Sequence, residues 1–268
     1  MSRPTSRTTP RRAPPPSGSC SPLEPRSPAR PPPGSSAWTC ARPARWQAPP
    51  LLECLVPLGA VRPRRPDINA FISDLPTDDV VDVGGIPCTS PARTALDLAR
   101  YRPRFIGLAA VDALTHAGLT SVAQLEHALQ PLKGHRFVRR ARDVVDLCEP
   151  LTESVGESWT RLRLVEAGFP RPEIQISLRD QRGLEVYRLD MGFVEEKIAM
   201  EYDGVAHHLR TPQQRSHDDE QRAHIFCGWG WRTVAATAQD VLGARPLLEG
   251  TLMELLGVSF EVRRRPWE

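Results

Sequence analysis

The sequence predicts an α/β protein with an irregular leader, a small mostly helical middle segment, and a C-terminal part ordered α-β-β-β-α-β-α. Three observations predict it. Residues 1–66 hold 17 of the 28 prolines. Between residues 90 and 150, apolar positions recur at helical spacing behind capping residues. From 173 to 203 they alternate instead, with turn residues between the runs.

Charge divides the chain at similar places. The net charge of +3 is +9 over residues 1–66, −2 over 67–150 and −4 over 151–268. The part expected to fold is therefore mildly acidic, and its bulk charge does not argue for nucleic acid. Among 35 basic residues only Lys133 and Lys197 are lysines, a bias that a GC-rich coding sequence gives. Six cysteines, at 20, 40, 54, 88, 148 and 227, are scattered without a CxxC pair or a zinc-like spacing. They read as free thiols in a reducing cytoplasm. No run approaches the ~18 apolar residues of a membrane helix. Leu51 to Val61 is the most apolar stretch near the N-terminus, and Glu53 and Pro57 interrupt it. A cytoplasmic protein without membrane association is expected.

Residues 1–66 are a Pro/Arg-rich segment, read as disordered. Proline lacks a backbone donor and holds φ, so "RRAPPPSGSCSPLEPRSPARPPPGSS" supports neither a helix nor a ladder. It is open whether this is a basic tail that touches nucleic acid or text read from a wrong start or frame.

Residues 67–150 form the mainly helical linker region. Val80 to Val83 and Ile86 are short strand-like pieces around Gly84-Gly85. "TSPARTALDLAR" opens a helix with Ser90 as N-cap and Pro91 first inside. "FIGLAAVDALTHAG" is a second helix, closing at Gly118. "SVAQLEHAL" is a third, with Ser121 and Gln124 at capping-box spacing. "RFVRRARDVVDLCE" is a fourth, its apolar face read as Phe137, Ala141, Val144, Val145 and Cys148. Its other side carries Arg136, Arg139, Arg140 and Arg142, as a solvated basic face or as contacts to a phosphate backbone.

Residues 151–258 read as one domain, and 259–268 as a basic tail. "SVGESWTRLRLVEAG" is a helix from Ser154 to a stop at Gly168. "EIQISL", "LEVYRLDMGF" and "KIAMEYDG" are three successive strands. "TPQQRSHDDEQRAHIFCG" is a helix capped by Thr211, "WRTVAA" a fourth strand, and "PLLEGTLMELLG" a closing helix. Three strands in succession suggest hairpins, and a strand after a helix suggests a parallel crossover.

The third strand poses the chemical question. Glu201 and Asp203 share a face, roughly 7 Å apart along the strand. If the second and third strands pair as a hairpin, Asp190 lies beside Glu201. Two carboxylates pressed together repel, and one takes up a proton unless a cation sits between them. Magnesium is the hard, oxygen-loving ion that such a pair holds while keeping several waters. A bare solvated sheet face is the other reading of the same residues.

Glu157, Asp190, Glu201-x-Asp203-Gly204-x-x-His207, Asp219-x-x-Arg222 and Gly230-Trp231 resemble the very-short-patch-repair (Vsr)-like branch of the PD-(D/E)XK nucleases. They look most like its uncharacterised bacterial relatives, which often follow an AbiEi-type antitoxin winged helix. The resemblance covers residues 153–243, and "TSPARTALDLAR" looks like the linker region of such proteins. It implies a restriction-endonuclease-like αβββαβ core and a metal-dependent endonuclease hydrolysing DNA. Asp190 and Glu201 would bind Mg2+ (or Mn2+), with Asp203 or Glu157 assisting, and His207 would act on the attacking water or the leaving oxygen. Arg222 would steady a phosphate, with Arg188 and Lys197 as further nucleic-acid contacts. DNA is the expected partner, and no small-molecule cofactor is expected.

The chain departs from the pattern in three ways, the first being that the zinc-ligand spacings of the full repair enzyme are not visible. The lysine usual two residues beyond the second acid is Asp203 here, and Lys197 lies about 13 Å from Glu201 along the strand. The proline-rich segment stands where the winged helix is usual. The alternative is therefore a non-catalytic DNA-binding regulator or antitoxin-like module on a nuclease scaffold; a degraded or mis-started gene product with no present role is a third reading. Bland readings also stand beside single residues: Glu157 as a helix cap of Ser154, and Asp219 with Arg222 as an i,i+3 ion pair.

Overall fold

Four apolar residues, Leu52, Cys54, Leu55 and Val56, form most of the first strand, β1 (Leu52–Pro57). It pairs in parallel with β2 (Ile68–Ser73). The structure is a computed structural model that describes residues 52–204, 211–259 and 261–262. The irregular segment expected through residue 66 thus contains a strand, residues 52–57, in its described part. The physical reason is local: Leu52–Pro57 has one proline, and it stands last. A 3-10 turn (Thr77–Asp79) leads to the hairpin β3 (Val80–Val83) and β4 (Ile86–Thr89). Its two turn residues, Gly84 and Gly85, both take positive φ, at 63° and 84°.

Four helices follow: α1 (Pro91–Tyr101), α2 (Arg104–His116), α3 (Val122–Leu129) and α4 (Val138–Asp146). The Ser90 hydroxyl accepts the Arg93 N–H, and Ser121 with Gln124 forms the expected capping box. Buried Arg93 donates to Ser73, Asp74, Asp79 and Asp97, which fastens the small strands to α1. A Cβ on Gly107 would lie 2.9 Å from the Ala99 Cα, so glycine lets α1 and α2 touch. Leu96, Leu108, Leu125, Val138, Ala141 and Val144 belong to one buried cluster of this helical half.

One sequence expectation fails in α4. Phe137 does not join the core; it is 40% exposed and precedes the helix in a left-handed conformation, φ 60°. Val138 takes the buried place. Positions 138, 141, 145 and 148 form the inward stripe, and Phe137 stands one residue off that stripe.

The C-terminal half holds α5 (Val155–Ala167), β5 (Glu173–Arg179), β6 (Glu185–Phe193), β7 (Ile198–Asp203), α6 (Pro212–Trp229), β8 (Arg232–Thr237), α7 (Ala238–Leu242) and α8 (Leu247–Leu256). The α-β-β-β-α-β order is therefore as expected, and α7 is a short addition. Gly168, at φ 99°, ends α5, and Thr211 with Gln214 boxes the start of α6. The strands lie in the order β5-β6-β7-β8. The first two pairings are antiparallel and β7–β8 is parallel, joined through α6. The result is a mixed α/β protein with small sheets. Among the described residues no helix is long and apolar enough to cross a membrane.

Two buried clusters flank the four-stranded sheet. One contains Leu164, Met191, Met200, Leu248 and Leu252, and the other Leu189, Ala199, Ile225 and Trp231. Leu189 and Met191 sit two residues apart, where simple alternation puts them together, yet they belong to different clusters. The same holds for Ile174 and Ile176, their partners in register. Between them stand Asp190 and Gln175, the latter at φ 53°. The sheet creases at this pair, and the pleat changes side across it.

A buried ion pair joins the halves. Arg161 of α5 meets Asp112 of α2, both side chains 1% exposed, and Arg161 also donates to the Leu147 carbonyl. The second Asp112 oxygen accepts the Glu149 N–H at 2.8 Å.

Candidate functional site

The crease places Asp190 where β6 and β7 part. Their ladder runs Phe193↔Ile198, Gly192↔Ala199 and Met191↔Met200, and stops there. One residue further, the Tyr202 N–H goes to the Asp190 carboxylate at 3.0 Å. The expected proximity of Asp190 to Glu201 therefore arises at a splayed strand end. Both line one open cavity of about 270 Å³, together with Asp203, Asp218, Gln221 and Arg222.

Glu157 comes to this place from α5. It is 6% exposed. Its N–H donates to Ser154, and its carboxylate accepts the Glu153 N–H at 3.0 Å. The capping reading of Glu157 thus holds in substance, though the reciprocal bond reaches Glu153 and not the cap residue itself. Gln175 also donates to this carboxylate, at 3.4 Å. Glycine 156 makes the approach feasible: a Cβ there would stand 2.0 Å from two Tyr202 ring carbons. The ring of Tyr202 occupies that space and draws the first turn of α5 onto β7.

The electrostatics follow from this gathering. Burial first, and then the Glu157, Glu201 and Glu153 carboxylates, push Asp190 up from 3.8 to about 6; the Tyr202 N–H works the other way. The group titrates close to neutrality, in the range useful for exchanging a proton or responding to a cation.

The other expected site residues are placed as follows. Asp203 is 9% exposed and lines the cavity. Arg222 also lines it and donates to Asp219 at 3.3 Å, so the i,i+3 pair and the cavity position coexist. Arg188 is exposed and pairs with Glu153 and Glu185. Lys197 precedes β7 with φ 53° and donates to the Trp229 carbonyl at the far end of the strand. His207 lies outside the described residues. Trp231 is in the core, 5% exposed.

Sequence reasoning missed Gln175, Glu153, Gly156, Asp218 and Gln221. For Asp218 and Gln221 a signal existed, since with Arg222 they recur at 3–4 residue spacing on α6. For Gln175 there was none, because its strand alternates without a break.

Among the described residues no group of three or more His, Cys, Asp or Glu side chains is set to hold a metal ion. What is present is a pair, Asp190 and Glu201, lining a polar cavity, and Asp190 is raised by burial first and then by the carboxylates beside it. Such an oxygen pair suits a hard cation that keeps most of its waters.

Two curated proteins of Mycobacterium tuberculosis, the uncharacterised proteins MT2308 (strain CDC 1551 / Oshkosh) and Rv2248 (strain ATCC 25618 / H37Rv), are each 28% identical over 177 residues. The alignment covers 66% of this chain and 64% of each relative. This chain thus spans just under two thirds of the relatives it matches. No solved structure matches it. Residues 38–147, which take in β1 to α4 and lie outside the carboxylate cavity, match the AbiEi antitoxin C-terminal domain.

Proposed function

We propose that the protein is an antitoxin-like regulator that binds DNA without cutting it, built on a nuclease-like αβββαβ scaffold. The match of residues 38–147 to an antitoxin domain carries this reading. The cavity of the C-terminal half supports it. Four carboxylates, Asp190, Glu201, Asp203 and Asp218, line it beside one arginine, Arg222. That balance repels a phosphodiester. Asp203 stands where the nucleases that the chain resembles have a lysine, and the Lys197 amine is engaged at the other end of β7. A mobility-shift assay in EDTA, run beside plasmid nicking with Mg2+ or Mn2+, tests the reading. A shift without nicking supports it; nicking abolished by Asp190→Asn replaces it.

One observation favours a second reading, a metal-dependent endonuclease. Burial first, and then the nearby Glu157, Glu201 and Glu153 carboxylates, raise Asp190 to about 6. Asp190 and Glu201 would hold the ion, and Glu157 would orient the pair from α5. A divalent ion there supplies charge neutralisation and a bound water of lowered pKa. Arg222, at the same cavity, is the group that could hold a phosphate oxygen. The plasmid assay decides between the two readings.

A further inference from the structure

The acidic cavity directs attention to where positive charge gathers. Residues 67–150 are net negative, yet residues 133–142 hold Lys133, Arg136, Arg139, Arg140 and Arg142 and no acid. The α1–α2 turn brings Arg102 and Arg104 beside them. Two hydrogen bonds clamp the turns together: Arg100 donates to the Arg136 carbonyl at 3.1 Å, and Arg140 to the Arg102 carbonyl at 2.9 Å. Arg102 and Arg104 are committed to Glu53 and Glu166. Arg136, Arg139 and Arg142 are exposed.

Two large rings stand in this basic surface. Tyr101 is 52% exposed and Phe137 is 40% exposed. They meet edge to face, centroids 6.0 Å apart. The Arg136 guanidinium lies 4.5 Å from the Phe137 centroid, and that of Arg140 5.3 Å. The Arg100 guanidinium lies 4.7 Å from the centroid of Tyr101. The two rings stand at 84° to each other, with guanidinium groups against both, and both rings remain partly exposed.

The backbone is held in an uncommon state to present Phe137. A bulky residue at φ 60° is an outlier, and such strain gathers where a side chain has a task. Phe137 is the N-cap residue of α4, and its side chain makes no capping bond.

We infer that this end of the helical half binds an unpaired nucleic-acid strand. Phe137 and Tyr101 stack its bases, and Arg136, Arg139 and Arg142 take its phosphates. A ring face needs a base face to stack on, and a duplex hides its base faces. The proposal goes beyond the DNA-binding reading and does not depend on it.

The test is fluorescence anisotropy with the full chain and labelled oligonucleotides of about 15 nucleotides, a length that fills a single-strand site. The arms are single-stranded DNA, single-stranded RNA and a duplex of the same length. Phe137→Gly is the key variant, because glycine adopts φ 60° freely and the backbone loses nothing. It is expected to weaken single-strand binding about tenfold. Phe137→Tyr is expected to bind like the parent, and so is Arg182→Ala, a control in the β5–β6 turn. Arg136→Ala with Arg139→Ala is expected to weaken binding and flatten its salt dependence. This pair carries the test if circular dichroism shows Phe137→Gly unfolded. Equal binding by Phe137→Gly and the parent, or a preference for the duplex, overturns the proposal. Duplex binding with no single-strand binding also overturns it, and leaves the regulator reading standing.

Discussion

The Asp190 carboxylate accepts the Tyr202 N–H at 3.0 Å, one step beyond the last paired residues of β6 and β7. A side-chain oxygen thus completes the strand end, and a carboxylate is kept among other carboxylates. Its pKa of about 6 lies above the unfolded value of 3.8. The stability this group contributes is therefore full below pH 3.8 and lost as pH rises through about 6. The face value is about 3 kcal/mol, and solvent screening at a part-exposed group reduces it to about 1–2 kcal/mol. Asp190→Asn keeps the acceptor and removes the charge. Urea unfolding is expected to find it more stable than the parent by that amount near pH 8, and equal to it near pH 4. The same difference at both values would remove the electrostatic account.

Gly156 is the hinge of this arrangement in the steric sense. A methyl there meets the Tyr202 ring at 2.0 Å, far inside contact distance. Gly156→Ala is expected to destabilise the protein by about 1–3 kcal/mol. In a Tyr202→Leu background the penalty should shrink by half or more, because the obstructing ring is gone. Denaturation of the four proteins of the cycle measures this. An unchanged penalty would mean that helix propensity or another neighbour is responsible.

Local signals made much of this fold legible. Ser90, Ser121, Ser154 and Thr211 each accept the N–H three residues on, as their spacing says, and Gly168 ends α5. The juxtaposition of Asp190 and Glu201 was readable because alternation and hairpin pairing need only two strands. What depends on approach from a distance was not readable. Gln175 at φ 53° lies in a sequence that alternates without a break, so the crease left no trace in it. Gly156 reads as a weak helical residue until Tyr202 is seen against it. Phe137 reads as core because its neighbour Val138, the true inward residue, is equally apolar. Counting places Lys197 on the same strand as Glu201, but the strand begins after it.

The Asp112–Arg161 pair makes a different expectation. Both side chains are 1% exposed, and they connect α2 of the helical half to α5 of the sheet half. Asp112→Ala leaves a buried guanidinium without its carboxylate and strands the Glu149 N–H. The expected loss is about 3–5 kcal/mol. Combining Asp112→Leu with Arg161→Met removes both charges and should recover most of it. Thermal unfolding reads the result. A double variant as unstable as the single one would show that the packing, and not the unpaired charge, governs the junction.

Glu157 holds two roles that can be separated. Its carboxylate accepts the Glu153 N–H, and its charge is the largest of the carboxylate contributions that raise Asp190. Glu157→Gln keeps an oxygen for the N–H and removes the charge. The Asp190 midpoint, followed by carboxyl carbon NMR across a pH titration, is expected to fall from about 6 toward its ordinary value. Stability should change little, because Ser154 still caps the helix. Glu157→Ala loses both roles and should cost about 1 kcal/mol in addition. A midpoint that stays near 6 in Glu157→Gln would assign the shift to burial, Glu201 and Glu153. Glu157 would then be a helix cap that happens to stand beside the cavity, and the second functional reading would lose its third carboxylate.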